Sequence, residues 1–152
     1  MKPVKSVLLA AIATLALSAC ASTGRLSDSE RLELYRSHAG DPVDSFHFFG
    51  RIDGWSPLGD GALTVRTKPN EAWLLELDGP CPDLGFAQVI GLTSQMNRVH
   101  ARFDKVLVRG PAATGMPCYI RTIRPLDLKA LKQSEKELRE ARIEEREQQE
   151  QG

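Results

Sequence analysis

Three histidines, His38, His47 and His100, are the side chains best suited to acid–base or metal chemistry. A zinc site needs three or four ligands within tetrahedral reach, and these usually include a closely spaced pair. The three histidines contain no such pair, so we predict no metal site. His47 and His100 each alternate with apolar neighbours, which predicts that both lie on the solvent face of a strand.

Nucleophiles and carboxylates likewise show no catalytic spacing. The chain contains no Gly-x-Ser-x-Gly elbow and no Ser-x-x-Lys pair, which are signatures of serine nucleophiles. It also lacks a glycine-rich phosphate-binding loop, and we expect no cofactor. The aspartates fall mostly in turn sequences, where their local hydrogen bonds are favoured; they are Asp53, Asp60, Asp78, Asp83 and Asp104. No residue is predicted to be catalytic, although two of these carboxylates could in principle form a glycosidase-like pair.

Cys20 indicates covalent chemistry of another kind. The chain begins with the basic residues Lys2 and Lys5, continues with an apolar run, and then reaches Cys20 through Leu17-Ser18-Ala19. The apolar run, about eleven residues, is too short for a stable transmembrane helix and is typical of an export signal. Leu-Ser-Ala-Cys resembles the bacterial lipobox, whose cysteine receives diacylglycerol and becomes the mature N-terminus. We predict a lipoprotein signal peptide over residues 1–19 and lipidation of Cys20; an ordinary secretory signal is the alternative.

Lipidation would determine where the protein resides. Each buried methylene group contributes about 0.8 kcal/mol, so the three acyl chains of a mature lipoprotein would make release from the membrane negligible. Ala21 rather than aspartate follows Cys20, a pattern that resembles an outer-membrane address in Gram-negative lipoproteins. The sequence therefore predicts a cell-envelope protein held by its lipid at the periplasmic face of the outer membrane.

The other two cysteines, Cys81 and Cys118, are expected to pair. An exported protein resides in an oxidising compartment, where two remaining cysteines indicate one disulfide. Both lie beside turn sequences, 79–82 and 116–118, as is typical of bridge ends at strand termini. A metal site and a redox pair are the alternatives, but no histidine lies nearby and there is no Cys-x-x-Cys motif.

The charges of the chain balance, with 20 Lys+Arg against 20 Asp+Glu. Loss of residues 1–19 would remove two lysines and leave the mature chain slightly acidic. A nucleic-acid-binding domain is normally strongly basic, so no nucleic-acid partner is predicted.

Arginines and aromatic residues in the predicted strands could form a binding groove for a polyanion or a glycan. This possible binding surface comprises Trp55, Arg98, Arg102, Tyr119 and Arg121. The alternative is that these side chains only form the solvent-exposed face of a half-buried sheet and bind nothing.

Residues 41–128 are predicted to form a β domain. Short apolar runs alternate with turn signals, and the runs cover residues 46–52, 62–67, 72–77, 86–92, 99–109 and 118–123. Period-two alternation in several of them is typical of half-buried strands. The sequence Lys68-Pro69-Asn70-Glu71 predicts a tight hairpin connection between two of these runs. We expect a mainly β fold of about six strands, either a small sandwich or a partly open barrel.

The segments on either side of this domain differ from it. Residues 20–40 are interpreted as a tether that could contain a short helix capped by Ser27 or Asp28 and ended by Gly40. Residues 129–152 are rich in helix-forming residues and mix six basic with seven acidic side chains. They predict a charged C-terminal helix, docked at its first turns, with binding to an envelope protein partner as its alternative role.

The β region resembles a known family at residues 51–55, 58–60, 78–81, 86–87, 90–93, 102–106 and 118–123. That family comprises small exported proteobacterial proteins classed as a domain of unknown function. The resemblance covers residues 44–127 and leaves the charged tail outside. It implies the domain limits and the two-cysteine framework, and it carries over no catalytic residue.

The sequence thus predicts a lipid-anchored protein that binds or assists another envelope component. A periplasmic hydrolase acting on an envelope polymer and a purely structural spacer are the alternatives. A hydrolase should gather His47 or His100 with Asp53, Asp83 or Asp104 in one pocket. A binding module should expose an apolar patch or a patch of arginine and aromatic side chains, with or without the tail helix beside it.

Overall fold

The computed structural model describes residues 25–111 and 113–152, so the predicted signal peptide and Cys20 lie outside the described residues. Within these ranges the chain forms two helices, eight strands and one short 3-10 turn at Leu84–Phe86. No helix in the described part is long and apolar enough to cross a membrane. In chain order the elements are α1 (Asp28–Ser37), β1 (Ser45–His47), β2 (Gly54–Pro57), β3 (Ala62–Lys68), β4 (Glu71–Leu77), β5 (Val89–Leu92), β6 (Arg98–His100), β7 (Lys105–Arg109), β8 (Cys118–Pro125) and α2 (Leu128–Glu150).

Six strands form one antiparallel sheet in the order β2-β3-β4-β8-β7-β5, and β1 pairs with β6 in a separate two-stranded ribbon. The larger sheet is a half-barrel, and α2 follows it at the C-terminal end of the chain. The predicted mainly β fold with a C-terminal charged helix is therefore confirmed, and of the two architectures left open the sheet is the partly open barrel, not the sandwich.

The strand boundaries differ from the sequence prediction in several places. The run 46–52 forms only the short strand β1, and the run 86–92 forms only β5, after the 3-10 turn. The run 99–109 is divided into β6 and β7 by a tight turn in which Arg102 has φ +70°. Strand β2 was not among the predicted runs because its sequence, Gly-Trp-Ser-Pro, contains two residues that disfavour strands. Proline is tolerated there because β2 is an edge strand, whose outer N–H groups have no ladder partner.

The predicted hairpin at residues 68–71 is present and connects β3 to β4. Lys68 and Glu71 are partners in the ladder, which leaves Pro69 and Asn70 as the two-residue loop. The Glu71 carboxylate accepts hydrogen bonds from the Thr67 hydroxyl at 2.6 Å and from the Lys68 ammonium at 3.0 Å. The Thr67 hydrogen bond lowers the pKa of Glu71, and Lys68 adds to this effect, so the carboxylate is held in its charged form.

The six-stranded sheet carries a core on each of its faces. The main core lies on the face toward the β1–β6 ribbon, where Phe46 stacks on Trp73 with ring centroids 4.8 Å apart. The opposite face carries a smaller core, built from Leu58, Ala62, Ala72, Leu74 and Leu126. Leu32 and Tyr35 of α1 and Leu128 of α2 pack against this smaller core. The helices therefore form a layer on one side of the sheet.

Helix α1 occupies 10 residues of the segment 20–40 that was interpreted as a tether. Ser27 caps it through a reciprocal pair of hydrogen bonds: the Ser27 hydroxyl accepts from the Glu30 amide, and the Glu30 carboxylate accepts from the Ser27 amide. The helix ends at Ser37, three residues before Gly40. Because α1 contributes side chains to the smaller core, residues 28–37 belong structurally to the folded domain.

Candidate functional site

The two cysteines of the β domain form a disulfide. Cys81 and Cys118 have Cα atoms 5.9 Å apart and are separated by 37 positions in the chain. Cys81 is almost fully buried, and its amide donates to the carbonyl oxygen of Asp60 at 2.8 Å. The bridge therefore ties the turn after β4 to the first residue of β8.

Apart from His100 and Asp104, the histidines and aspartates considered for hydrolysis lie in separate places. His47 contacts an Arg98 guanidinium nitrogen at 2.8 Å, Asp53 pairs with Arg51 at 3.0 Å, and Asp83 accepts two hydrogen bonds from Thr114. Residues 25–111 and 113–152 contain no group of three His, Cys, Asp or Glu side chains that could hold a metal ion.

One histidine does meet an aspartate, at the turn between β6 and β7. The nearest nitrogen of His100 lies 3.4 Å from Oδ2 of Asp104. The buried Asp104 carboxylate also accepts hydrogen bonds from the His100 amide at 2.7 Å and from the Thr93 hydroxyl at 2.6 Å. That hydroxyl in turn accepts from the Lys105 amide at 2.9 Å. These contacts close the turn and hold β5 beside β7, which accounts for a buried carboxylate without a catalytic role.

The predicted arginine and aromatic surface is only partly assembled. Arg102 and Arg121 line the same shallow cleft, and Tyr119 lies two positions before Arg121 on β8, where both are exposed. The Lys105 ammonium lies 4.8 Å from the centre of the Tyr119 ring.

Its other two members lie elsewhere. The Arg98 guanidinium donates to the Ser45 hydroxyl at 2.8 Å and 3.0 Å on the β1–β6 ribbon. Trp55 lies on β2, three strands from β8 and therefore about 14 Å away. The five residues therefore do not form one groove.

A buried carboxylate that the sequence analysis did not single out joins α1 to the sheet. Glu76 of β4 is only 7% exposed, and its Oε1 accepts hydrogen bonds from Nε and Nη2 of Arg36 at 2.9 Å and 2.6 Å. Its Oε2 lies 3.8 Å from Nε of Arg124 on β8, an atom without a hydrogen-bond partner among the described residues. The Glu76 hydrogen bonds raise the pKa of Arg36, so its guanidinium stays protonated in this contact.

A cleft of mixed chemistry lies between α1 and the second half of α2. We call this cleft of about 490 Å³ the basic groove. Five arginines line it, two before or within α1 and three on α2: Arg25, Arg31, Arg139, Arg142 and Arg146. Its apolar lining consists of Leu26, Leu34, Leu138 and Ile143, of which Leu138 is 38% and Ile143 49% exposed.

The helical period explains why the arginines of α2 face the groove together. Residues three, four and seven positions apart share one face of a helix, as do Arg139, Arg142 and Arg146. The same period places four glutamates on the opposite face: Glu137, Glu140, Glu144 and Glu147. The basic and acidic residues that alternate along the tail sequence are therefore largely separated in space.

The basic groove also contains carboxylates. Asp28 lies 3.6 Å from Arg31, and Glu135 accepts a hydrogen bond from the Tyr35 hydroxyl at 3.0 Å. Hydrogen bonds with Ser27 lower the pKa of Glu30, and the charge of Arg142 lowers it further. Glu135 is the one carboxylate in the lining, and Asp28 and Glu30 lie beside it, so five arginines leave the groove with a net positive charge although the whole chain is neutral.

Tyr35 and Glu135 also line a second groove, between α2 and strands β2 and β3. Its basic side chains are Arg66, Lys129 and Lys132. Burial raises the pKa of Tyr35, and the nearby Glu135 charge raises it further, so the hydroxyl keeps its proton and remains a donor. The Tyr35–Glu135 contact is thus part of the wall shared by the two grooves.

Only one of the two walls of the basic groove, the one formed by α2, could be predicted from the sequence. The spacing of Arg139, Arg142 and Arg146 can be read from the helical period, together with Leu138 and Ile143. The facing wall lies more than 100 positions earlier in the chain and was interpreted mainly as a tether. Only the packing of α1 beside α2 brings Arg25 and Arg31 to the same cleft.

Comparison with known proteins places the chain in a family. No curated protein and no solved structure matches it. The sequence profile of a family of unknown function (DUF6491) matches residues 3–142. This range is wider than the resemblance seen over 44–127, because it includes α1 and most of α2. The chain therefore belongs to this family of unknown function.

Proposed function

We propose that the protein is a lipid-anchored component of the cell envelope whose folded domain is a binding or accessory module. It is attached through Cys20 at the periplasmic face of the outer membrane, and α2 provides its contact with another envelope component. The basic groove carries this proposal, because it combines exposed apolar side chains with a local excess of arginine beside the tail helix. Such a patch is typical of an interaction site.

The two alternatives receive less support from the side chains. The hydrolase interpretation requires histidine and aspartate groups in one cleft, whereas His47, Asp53 and Asp83 are engaged in separate local contacts. His100 and Asp104 do meet, but the Asp104 carboxylate is occupied by the hydrogen bonds that close the turn between β6 and β7. A structural spacer has no need for a groove lined by partly exposed Leu138 and Ile143.

The anchor can be tested by acylation in a Gram-negative host fed an alkyne analogue of palmitate. We expect the full chain to incorporate the label and Cys20→Ala to lose at least nine-tenths of it, because only a lipobox cysteine is acylated. Ser22→Ala is the matched control, since it lies two positions after Cys20, leaves every cysteine in place and should keep the label. Label that persists in Cys20→Ala, or an unlabelled chain cleaved at another position, would establish an ordinary secretory signal instead.

The binding role can be tested with a photo-reactive amino acid introduced into α2 of the anchored protein in intact cells. Position 143 faces the basic groove, whereas position 140 lies on the acidic side of the same helix. We expect a discrete adduct from position 143, at least fivefold stronger than from position 140, because only the former faces the component that is bound. Equal or absent adducts at the two positions would favour the spacer interpretation.

A further inference from the structure

We propose that the basic groove binds the phosphate-bearing headgroup of an anionic phospholipid in the same membrane that holds the lipid anchor. This inference deepens the proposed function and rests on it for the anchor at Cys20. It identifies the bound component as the membrane surface and predicts that the domain lies against the bilayer with the α1–α2 side facing the lipid.

The first argument is the chemistry of the lining. Guanidinium groups bind phosphate oxygens through paired N–H donors, and they do so more readily than ammonium groups in partly buried sites. All five basic residues of the groove are arginines, whereas the basic residues of α2 outside it are the lysines Lys129, Lys132 and Lys136. The partly exposed Leu138 and Ile143 would contact the glycerol and upper acyl carbons of a lipid, which a free anion lacks.

The second argument is the reach of the chain. Arg25, at one end of the groove lining, is five positions from Cys20. A fully extended chain spans at most about 3.6 Å per residue, so the acylated cysteine is held within about 18 Å of Arg25. The groove therefore cannot move far from the headgroup layer once the acyl chains are inserted.

The third argument is the direction of the electrostatic field. Charges more than about 8 Å apart are largely screened at physiological ionic strength, so the local groove determines what it attracts, not the neutral chain as a whole. The four glutamates on the far side of α2 would repel an anionic surface, whereas the arginine side would attract it. The helix thus has a preferred side toward an anionic bilayer.

The test must separate headgroup binding from the anchor, because an acylated chain binds any bilayer. We would purify the full chain from membranes in dodecyl maltoside and titrate it with dihexanoyl phosphatidylglycerol, a short-chain soluble lipid. Binding would be followed through the NMR signals of the arginine Nε–H groups. Dihexanoyl phosphatidylcholine, with the same acyl chains and no net charge, is the matched lipid control, and inorganic phosphate is the free-anion control.

A pair of triple variants on the same helix gives the sharpest comparison. Replacing Arg139, Arg142 and Arg146 with glutamine should weaken phosphatidylglycerol binding at least tenfold. The variant with Lys129, Lys132 and Lys136 replaced by glutamine loses the same charge outside the basic groove and should bind within twofold of the natural chain. Circular dichroism would establish that both variants keep α2. If the arginine variant loses helix, Arg25→Gln with Arg31→Gln tests the opposite wall.

The outcomes are distinct. Equal losses in the two triple variants would overturn the proposal in favour of diffuse attraction to a charged helix. Equal binding of phosphatidylcholine would show that only apolar contact matters, and equally tight inorganic phosphate would indicate a free-anion site; either result overturns it. A protein adduct as the sole product from position 143 in cells would assign the groove to a protein partner. Selective phosphatidylglycerol binding by a chain without acyl label at Cys20 would leave the headgroup site standing while the proposed anchor fails.

Discussion

Replacing Cys81 or Cys118 with alanine is expected to lower the free energy of unfolding by about 4 kcal/mol, and replacing both should cost no more than replacing one. The bridge closes a loop with a sequence separation of 37, and in the chain-entropy model its removal returns that much conformational freedom to the unfolded chain. Small domains are stable by only about 5–15 kcal/mol, so the loss would be a large share of the total. Urea denaturation followed by circular dichroism would measure it.

Reduction provides a control that changes no residue. The natural chain in excess dithiothreitol should unfold at the same urea concentration as the double variant, while the double variant should not respond to the reductant. Losses that add in the double variant, or single variants that differ by more than about 1 kcal/mol, would mean that the cysteines stabilise the fold separately. Cys81 is the more buried of the two, so its replacement leaves the larger cavity and should be the slightly worse single change.

Neutralising Glu76 is expected to be the second most damaging change. Glu76→Gln should destabilise the protein by about 3 kcal/mol, because removing one member of a buried ion pair leaves the other charges without compensation. This value is at the lower end of the usual range because the Arg36 side chain is 40% exposed and can regain water. Arg124 cannot regain water as easily, since its Nε is buried beside Glu76.

Glu33→Gln is the matched control for this prediction. Glu33 also pairs with Arg36, at 2.6 Å, but its side chain is 69% exposed. An exposed pair contributes about 0–1 kcal/mol, so the control should change the free energy of unfolding by less than about 1 kcal/mol. Hydrogen exchange would locate the effect, because Glu76→Gln should increase exchange in α1 more than in β7. Equal effects of the two substitutions would contradict a special role for the buried carboxylate.

Local sequence signals predicted the elements whose causes are themselves local. The hairpin at Pro69 and Asn70 follows from turn preferences of two adjacent residues, and α2 follows from helix-forming residues over more than 20 positions. The alternating apolar residues of β3 and β4 marked both strands correctly. The mainly β fold could therefore be predicted from patterning alone.

The features that were not predicted depend on residues distant in the sequence. The turn that divides the run 99–109 into β6 and β7 is held by the Asp104 carboxylate. This carboxylate accepts a hydrogen bond from the Thr93 hydroxyl, which lies 11 positions earlier in the chain, before β6. Glu76 lies on the same face of β4 as Ala72 and Leu74, and this position indicates that its side chain is buried. Its partners Arg36 and Arg124, however, lie 40 and 48 positions away in the sequence. A single sequence gives no measure of such distances, so the site that joins α1 to the sheet could not be recognised.

The shared wall at Tyr35 and Glu135 has a thermodynamic consequence for any ligand of either groove. A ligand that shifts this contact when it occupies the groove beside Arg139 also changes the shape of the groove beside Arg66. Thermodynamic linkage makes this influence reciprocal. If a ligand in one groove changes the affinity of the other groove for its ligand by some factor, the second ligand changes the affinity for the first by the same factor. The hydrogen bond between the Tyr35 hydroxyl and the Glu135 carboxylate would then couple the two sides of α2, and Tyr35→Phe would weaken that coupling.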